Sequence, residues 1–148
     1  MRGLNASLSG IAGEYLVAGE LSRLGYIASL TLKNSKGIDI LASNEKANKS
    51  VGIQVKTNKG RNRMWVLDRK AEKYFAKNLF YVFVNLNDGG SPDFSIVPSR
   101  KVAKFAAENH VKWLDMLSRN GQKHKDTKMR KFIDKQGKYL NRWDLLGL

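Results

Sequence analysis

Gly37-Ile38-Asp39-Ile40-Leu41-Ala42, followed by Val51-Gly52-Ile53-Gln54-Val55-Lys56-Thr57, are the two stretches whose reading decides the fold. In the second, Val51, Ile53 and Val55 alternate with Gly52, Gln54 and Lys56. That period of two predicts a strand with one apolar and one polar face. Ile38 to Ala42 predicts the strand before it, and the polar run from Ser43 to Ser50 predicts the loop between them. Paired as a simple hairpin, Ala42 faces Val51, which sets Asp39 opposite Gln54. Opposed side chains lie ~5 Å apart at Cβ. Lys56 leaves the strand on the same face as Gln54, ~7 Å further along. One hairpin thus gathers a carboxylate, an amide oxygen and an ammonium into a notch.

That set of groups suits hydrolysis of a phosphodiester. Mg²⁺, or Mn²⁺ in its place, prefers oxygen ligands and keeps several waters. Asp39 supplies charge, the Gln54 side chain a neutral oxygen, and the backbone carbonyl of Val55 a third donor. Such an ion polarises a phosphoryl oxygen and acidifies a bound water. Lys56 stands ready to orient that water or to stabilise the developing negative charge.

Upstream, Ser9 to Leu24 predicts a helix, with Ser9 as N-cap and Gly25 just past its end. Glu14 shares a helical face with Val17, Ala18 and Leu21, whereas Glu20 sits on the side of Ser9, Gly13 and Arg23. An acid on an inward face needs a reason, because burying an unpaired charge is costly. Glu14 therefore joins the notch as a holder of a metal water or of a second metal. Tyr26 to Leu32 predicts a first strand. Downstream, Met64–Leu67 predicts a short strand, Asp68 the cap of a helix to about Lys77, and Leu79–Leu86 a buried central strand. Phe94–Val97 predicts another strand, Ser99 caps a helix to about Glu108, and Val111, Leu114 and Leu117 mark a further short helix. Tyr139, Leu140, Trp143, Leu145 and Leu146 form an apolar tail expected to dock on the core. The expected architecture is α/β, one mixed central sheet flanked by helices.

At 148 residues the length fits one domain, residues 1–148, with a core over about 9–98 and a basic helical extension over about 99–148. There are no cysteines, which excludes disulfides and thiolate metal sites and fits the cytoplasm. No apolar run reaches the length of a membrane span, and the N-terminal residues lack the features of a signal peptide. The net charge of +14 is concentrated, with +6 over residues 56–77 and +8 over residues 100–148. Clustered cations are the footprint of a nucleic-acid binder. Lys33, Asn34, Ser35 and Lys36 lead into Asp39, and Lys59, Arg61 and Arg63 follow Lys56, so both loops are expected to meet a phosphate backbone. Lys123, Lys125, Lys128 and Arg130 form a further basic segment, in which His124 is a candidate phosphate contact. His110 reads as a helix-end residue, and the three tryptophans read as core.

Gly13-Glu14, Gly25-Tyr26, Gly37-Ile38-Asp39 and Ile53-Gln54-Val55-Lys56, in that order, resemble the PD-(D/E)XK nuclease superfamily, nearest to its junction-resolvase and homing-endonuclease branches. The resemblance covers about residues 9–98. It implies a restriction-endonuclease-like core, with Asp39 in the place of the motif aspartate, Lys56 in that of its lysine and Glu14 in that of the first-helix glutamate. Ile38 stands where the family has proline. Gln54 stands where it usually has an acid, as in the QxK variants, and leaves the site one negative charge short. The implied activity is a Mg²⁺-dependent endonuclease acting on double-stranded or branched DNA. A homodimer or tetramer is expected, because cutting two strands needs two sites. The alternatives are a nucleic-acid-binding protein of the same fold that has lost turnover, and a basic protein with a protein partner.

Overall fold

A computed structural model describes residues 3–32 and 36–148. The first helix, α1 (Ala6–Arg23), begins three residues earlier than the serine signal predicts. Asn5 is the cap, its side-chain oxygen accepting the Leu8 amide at 2.8 Å, while Ser9 lies inside the helix and bonds back to the Asn5 carbonyl. Gly25, at φ +89°, ends it as expected, because a side chain is disfavoured in that conformation. The buried stripe of α1 is Ser9, Gly13, Val17 and Leu21, so Gly13 faces the sheet rather than water. Its spacing shows why a glycine stands there: a Cβ on Gly13 would lie 1.9 Å from Thr57 Oγ1.

The central sheet has five strands in the order β1-β2-β3-β5-β6. These are β1 (Ile27–Leu30), β2 (Ile40–Ser43), β3 (Ser50–Asn58), β5 (Leu79–Asn85) and β6 (Asp93–Pro98). β1, β2 and β3 form an antiparallel meander, β5 joins β3 in parallel, and β6 returns antiparallel to β5. The sheet is therefore mixed, as predicted. Every residue of β5 is buried, because both faces of the sheet are covered at its centre.

On one face α1 sets Val17 and Leu21 against Ile53, Val55, Val82 and Val84, and the C-terminal tail adds Trp143 and Leu146. On the other, Tyr81 and Phe83 pack with Trp65, Val102, Ala106 and Phe132. The Phe83 and Phe132 rings stack at 4.5 Å, and Trp65 anchors its Nε1–H to the Val84 carbonyl at 3.0 Å.

The chain's last third departs from a purely helical extension. Helix α2 (Ser99–Asp115) is one continuous element that absorbs the predicted short helix around Val111 and Leu114. Ser99 does not cap it; its hydroxyl instead ties both the amide and the carbonyl of Ala76. Within the basic run, β7 (Met129–Ile133) pairs with β4 (Met64–Asp68) as a separate two-stranded ribbon over the second face. Arg130 and Phe132 of β7 point into the protein while Met129 points out, an alternation hidden in the sequence because one inward position is an arginine. Asp68 caps only a single 3-10 turn, Arg69–Glu72, rather than the longer helix expected. The tail docks as foreseen, with the Asn141 amide on the Phe94 carbonyl at 2.8 Å and Trp143 against Phe94.

Candidate active site

β2 pairs with β3 only as far as Ile40, whose partner is Ile53, with Ala42 opposite Val51 as the simple hairpin requires. One residue earlier the chain turns away. The Asp39 amide still reaches the Ile53 carbonyl at 2.8 Å, and Asp39 Oδ2 accepts the Val55 amide at 2.7 Å. The carboxylate thus takes the place of the strand partner that Val55 would otherwise lack. In a strand, the amide and carbonyl of one residue point to the same edge. The Val55 carbonyl therefore faces the same open edge as the Asp39 side chain. Among the described residues, Asp39 Oδ1 makes no hydrogen bond.

Gln54 and Lys56 leave β3 on the face away from α1. They share a cleft of about 520 Å³ with Tyr74, Tyr81, Lys36 and Lys70. Tyr81 is the β5 partner of Gln54. Its phenol is pushed up to about 12, first by burial, then by Tyr74 and by the negative charge of Asp39. It therefore remains a protonated donor through the neutral range. Glu14 is half-buried on α1, one residue past the close contact between Gly13 and Thr57. That contact falls on Thr57 of β3, next in sequence to Lys56.

The donors present at this edge are oxygens of the kind a hard cation takes: one carboxylate with a free oxygen, a backbone carbonyl and an amide. Among the described residues, no group of three or more His, Cys, Asp or Glu is arranged to hold a metal. The set fits Mg²⁺ only as a site with few protein ligands and several waters.

No family model matches the chain, and no curated protein matches it. Among solved structures it is similar to the Holliday junction resolvase of Archaeoglobus fulgidus, an archaeal hyperthermophile, with a TM-score of 0.50 and 14% identity over 84% of each chain. The fold is restriction-endonuclease-like. The chain is also similar to a bacterial homing endonuclease, with a TM-score of 0.49 and 16% identity over 66% of this chain and 68% of that one.

On this restriction-endonuclease-like fold the predicted cations separate into two groups. Lys36, Lys59 and Arg61 are exposed or rim the cleft. Lys123, Lys125 and Lys128 are also exposed, and Lys128 lies near enough to lower the Asp68 carboxyl, after the Lys70 amide that Asp68 caps. Asp68 itself lines the cleft, so Lys128, just before β7, lies near its rim. Arg130 differs from them: it is 5% exposed, its Nε donates to Glu72, and its Nη1 donates to the carbonyls of Thr127 and Met129. Arg63 is held back as well, half-buried, 3.7 Å from Asp93 and packed against Gly137. Lys33, Asn34 and Ser35 lie outside the described residues. His124 stacks on Trp113 at 4.1 Å, while His110 is buried against Asp126 at 2.7 Å. Trp113 is thus a half-buried platform between two histidines rather than core. The sequence reading missed Tyr74, Tyr81 and Lys70, because the β3–β5 crossover that carries Tyr74 and Lys70 into the cleft has no local signature.

Proposed function

We propose that the chain is a metal-dependent endonuclease that hydrolyses phosphodiester bonds in DNA, working as a homodimer or tetramer with Mg²⁺ or Mn²⁺. The observation that carries this reading is the seat of Asp39 on the Val55 amide. It fixes a carboxylate and the Val55 carbonyl at one open strand edge, with Gln54 and Lys56 beside them. Asp39 and the Val55 carbonyl would hold the ion, Gln54 would add a neutral ligand, and Glu14 would orient a water. Bound there, the ion supplies Lewis-acid polarisation of the phosphate and a more acidic water. Lys56 places a fixed positive charge where negative charge grows on the phosphoryl oxygens, an effect strengthened inside a cleft. Lys36, Lys59 and Arg61 position the backbone on either side. A Holliday junction resolvase shares the fold, which makes branched DNA one substrate to try.

A second reading has a specific observation in its favour. Gln54 is an amide where charge is wanted, and a site that binds metal weakly would leave a nucleic-acid-binding protein without turnover. Incubation with plasmid, branched and single-stranded DNA in Mg²⁺ or Mn²⁺ separates the two. The nuclease reading expects cleavage that falls by at least ~100-fold in Asp39→Ala and in Lys56→Ala. Asp39→Asn refines it: the amide oxygen can still accept the Val55 amide, so the fold survives while the charge is gone. Full cleavage by Asp39→Asn would remove the metal role from this residue. Steeply salt-dependent binding with no cleavage in either metal would establish the second reading.

A further inference from the structure

A phosphate backbone passing over the notch needs exposed cations and oxygen donors; it does not need a deep cleft with an aromatic wall. The cleft beside Lys56 has a sizeable volume and an aromatic ring in its lining. Its volume of about 520 Å³ is lined by Leu67, Ala71 and Tyr74, and by Lys36, Lys56 and Lys70 against the carboxylate of Asp68. That volume falls within the range of small-molecule sites and well below what a stacked duplex would occupy. A flat apolar surface with ammonium groups beside it matches one chemical class, a nucleotide: a base to lie against the ring and a phosphate to meet the lysines.

The wall is set in place by the chain that leads to Asp39. A Cβ on Gly37 would lie 2.6 Å from the Tyr74 ring, and the Tyr74 hydroxyl reaches the Lys36 carbonyl at 3.5 Å. Gly37, at φ +77°, is thus the residue that lets this turn and the ring close together. Gln54 and Lys56 line the cleft together with Tyr81, the β5 partner of Gln54. A nucleotide seated in the cleft would hold its phosphate at Lys56, beside the Asp39 edge.

We propose that this cleft takes one unpaired nucleotide next to the bond to be cut, so that the substrate is a strand bearing an unstacked base rather than an intact duplex. This rests on the nuclease reading for what happens to the strand, but the cleft's preference is a matter of binding and can be measured without turnover. Extruding a base from a duplex costs stacking and pairing energy that an already unpaired base does not, which is the source of the selectivity.

The test uses the full chain as Asp39→Asn, with 2-aminopurine placed at an unpaired position, at the same position in intact duplex, and in a single strand. The expected result is a fluorescence change on binding at the unpaired position, and affinity about tenfold tighter there than for duplex, from stacking on one ring. Tyr74→Ala should remove that tenfold and leave duplex affinity alone, while Tyr74→Phe should keep it. Circular dichroism of both variants checks that the fold persists. Equal affinity for duplex and unpaired substrates, or equal losses on both in a folded Tyr74→Ala, would overturn the proposal. Cleavage by the native chain is scored separately. Selective binding without cleavage would leave the cleft standing and sink the nuclease reading, whereas cleavage without selectivity would do the reverse.

Discussion

Arg130 and Lys56 belong to the same excess of charge, yet the protein uses them in opposite ways. Arg130 on β7 is 5% exposed, with its Nε on Glu72 and its Nη1 on two carbonyls of its own strand approach. Lys56 on β3 lines an open cleft with two more lysines and one carboxylate. The difference lies in the neighbours that the fold supplies. The β4–β7 ribbon brings Glu72, 58 residues away in sequence, onto Arg130. β3 runs out beyond the end of β2, so Lys56 lies past the point where the hairpin closes. A cation that the fold has already neutralised cannot attract a polyanion; one left at an open strand end can.

The sharpest way to break this comparison is to exchange the roles. Arg130→Ala should cost about 3 kcal/mol of stability, since it leaves Glu72 and two carbonyls without their donor in a largely buried place. It should leave the salt dependence of DNA binding unchanged. Lys125→Ala should do the opposite, with stability within ~0.5 kcal/mol of the parent and the salt slope reduced by about one. Urea unfolding and binding isotherms at four salt concentrations read both. A reduced slope in folded Arg130→Ala would return that arginine to the nucleic-acid surface.

What the sequence made legible follows the range of the interactions involved. The β2–β3 register was readable because a hairpin fixes it locally, and the clean alternation from Val51 to Lys56 forbids a slip of one residue. The same register extended by one residue predicts Asp39 opposite Gln54, but the pairing ends at Ile40 and Ile53, and the Asp39 carboxylate accepts the Val55 amide instead. The helix before it, and the buried β5, were equally local. Arg130 could not be assigned, because its partner Glu72 arrives through a ribbon between segments far apart in sequence. β7 itself was masked: in Met129-Arg130-Lys131-Phe132-Ile133, the inward position is an arginine, so a period of two in hydrophobicity does not show. Tyr74 entered the cleft for a similar reason, through packing on Gly37 a quarter of the chain away.

Tyr81 offers a second test, of smaller size, on how closely the cleft and the Asp39 edge are joined. Its phenol is raised from an ordinary 10.0 to about 12. A group whose pKa is raised in the folded state stabilises the fold fully below the unfolded value, and that contribution is lost as pH climbs through the folded value. The loss should therefore fall between pH 10 and about 12, on the order of 2 kcal/mol. Absorbance titration at alkaline pH should show a late phenol that disappears in Tyr81→Phe, and Asp39→Asn should bring it earlier by removing one of its causes. An unshifted late phenol in Asp39→Asn would separate the two groups.

Gln54→Glu carries the smallest expected effect, and the comparison turns on its sign. The site around Lys56 is open and positively charged, but Asp39 gives it only one fixed carboxylate on this hairpin. A second carboxylate beside Asp39 has two consequences that oppose one another. Like charges held close repel, which weakens the site without an ion. With a divalent ion between them the same two charges bind it more strongly, and Lys36, Lys56 and Lys70 nearby reduce the repulsion before the ion arrives. The balance favours the ion, so Mn²⁺ affinity by calorimetry should rise about tenfold, with any cleavage rate at low metal rising in step. Stability in chelator should fall slightly and return when metal is added. If affinity stays flat while stability falls, the Gln54 side chain does not face the ion, and the site would rest on Asp39, Val55 and Glu14 alone.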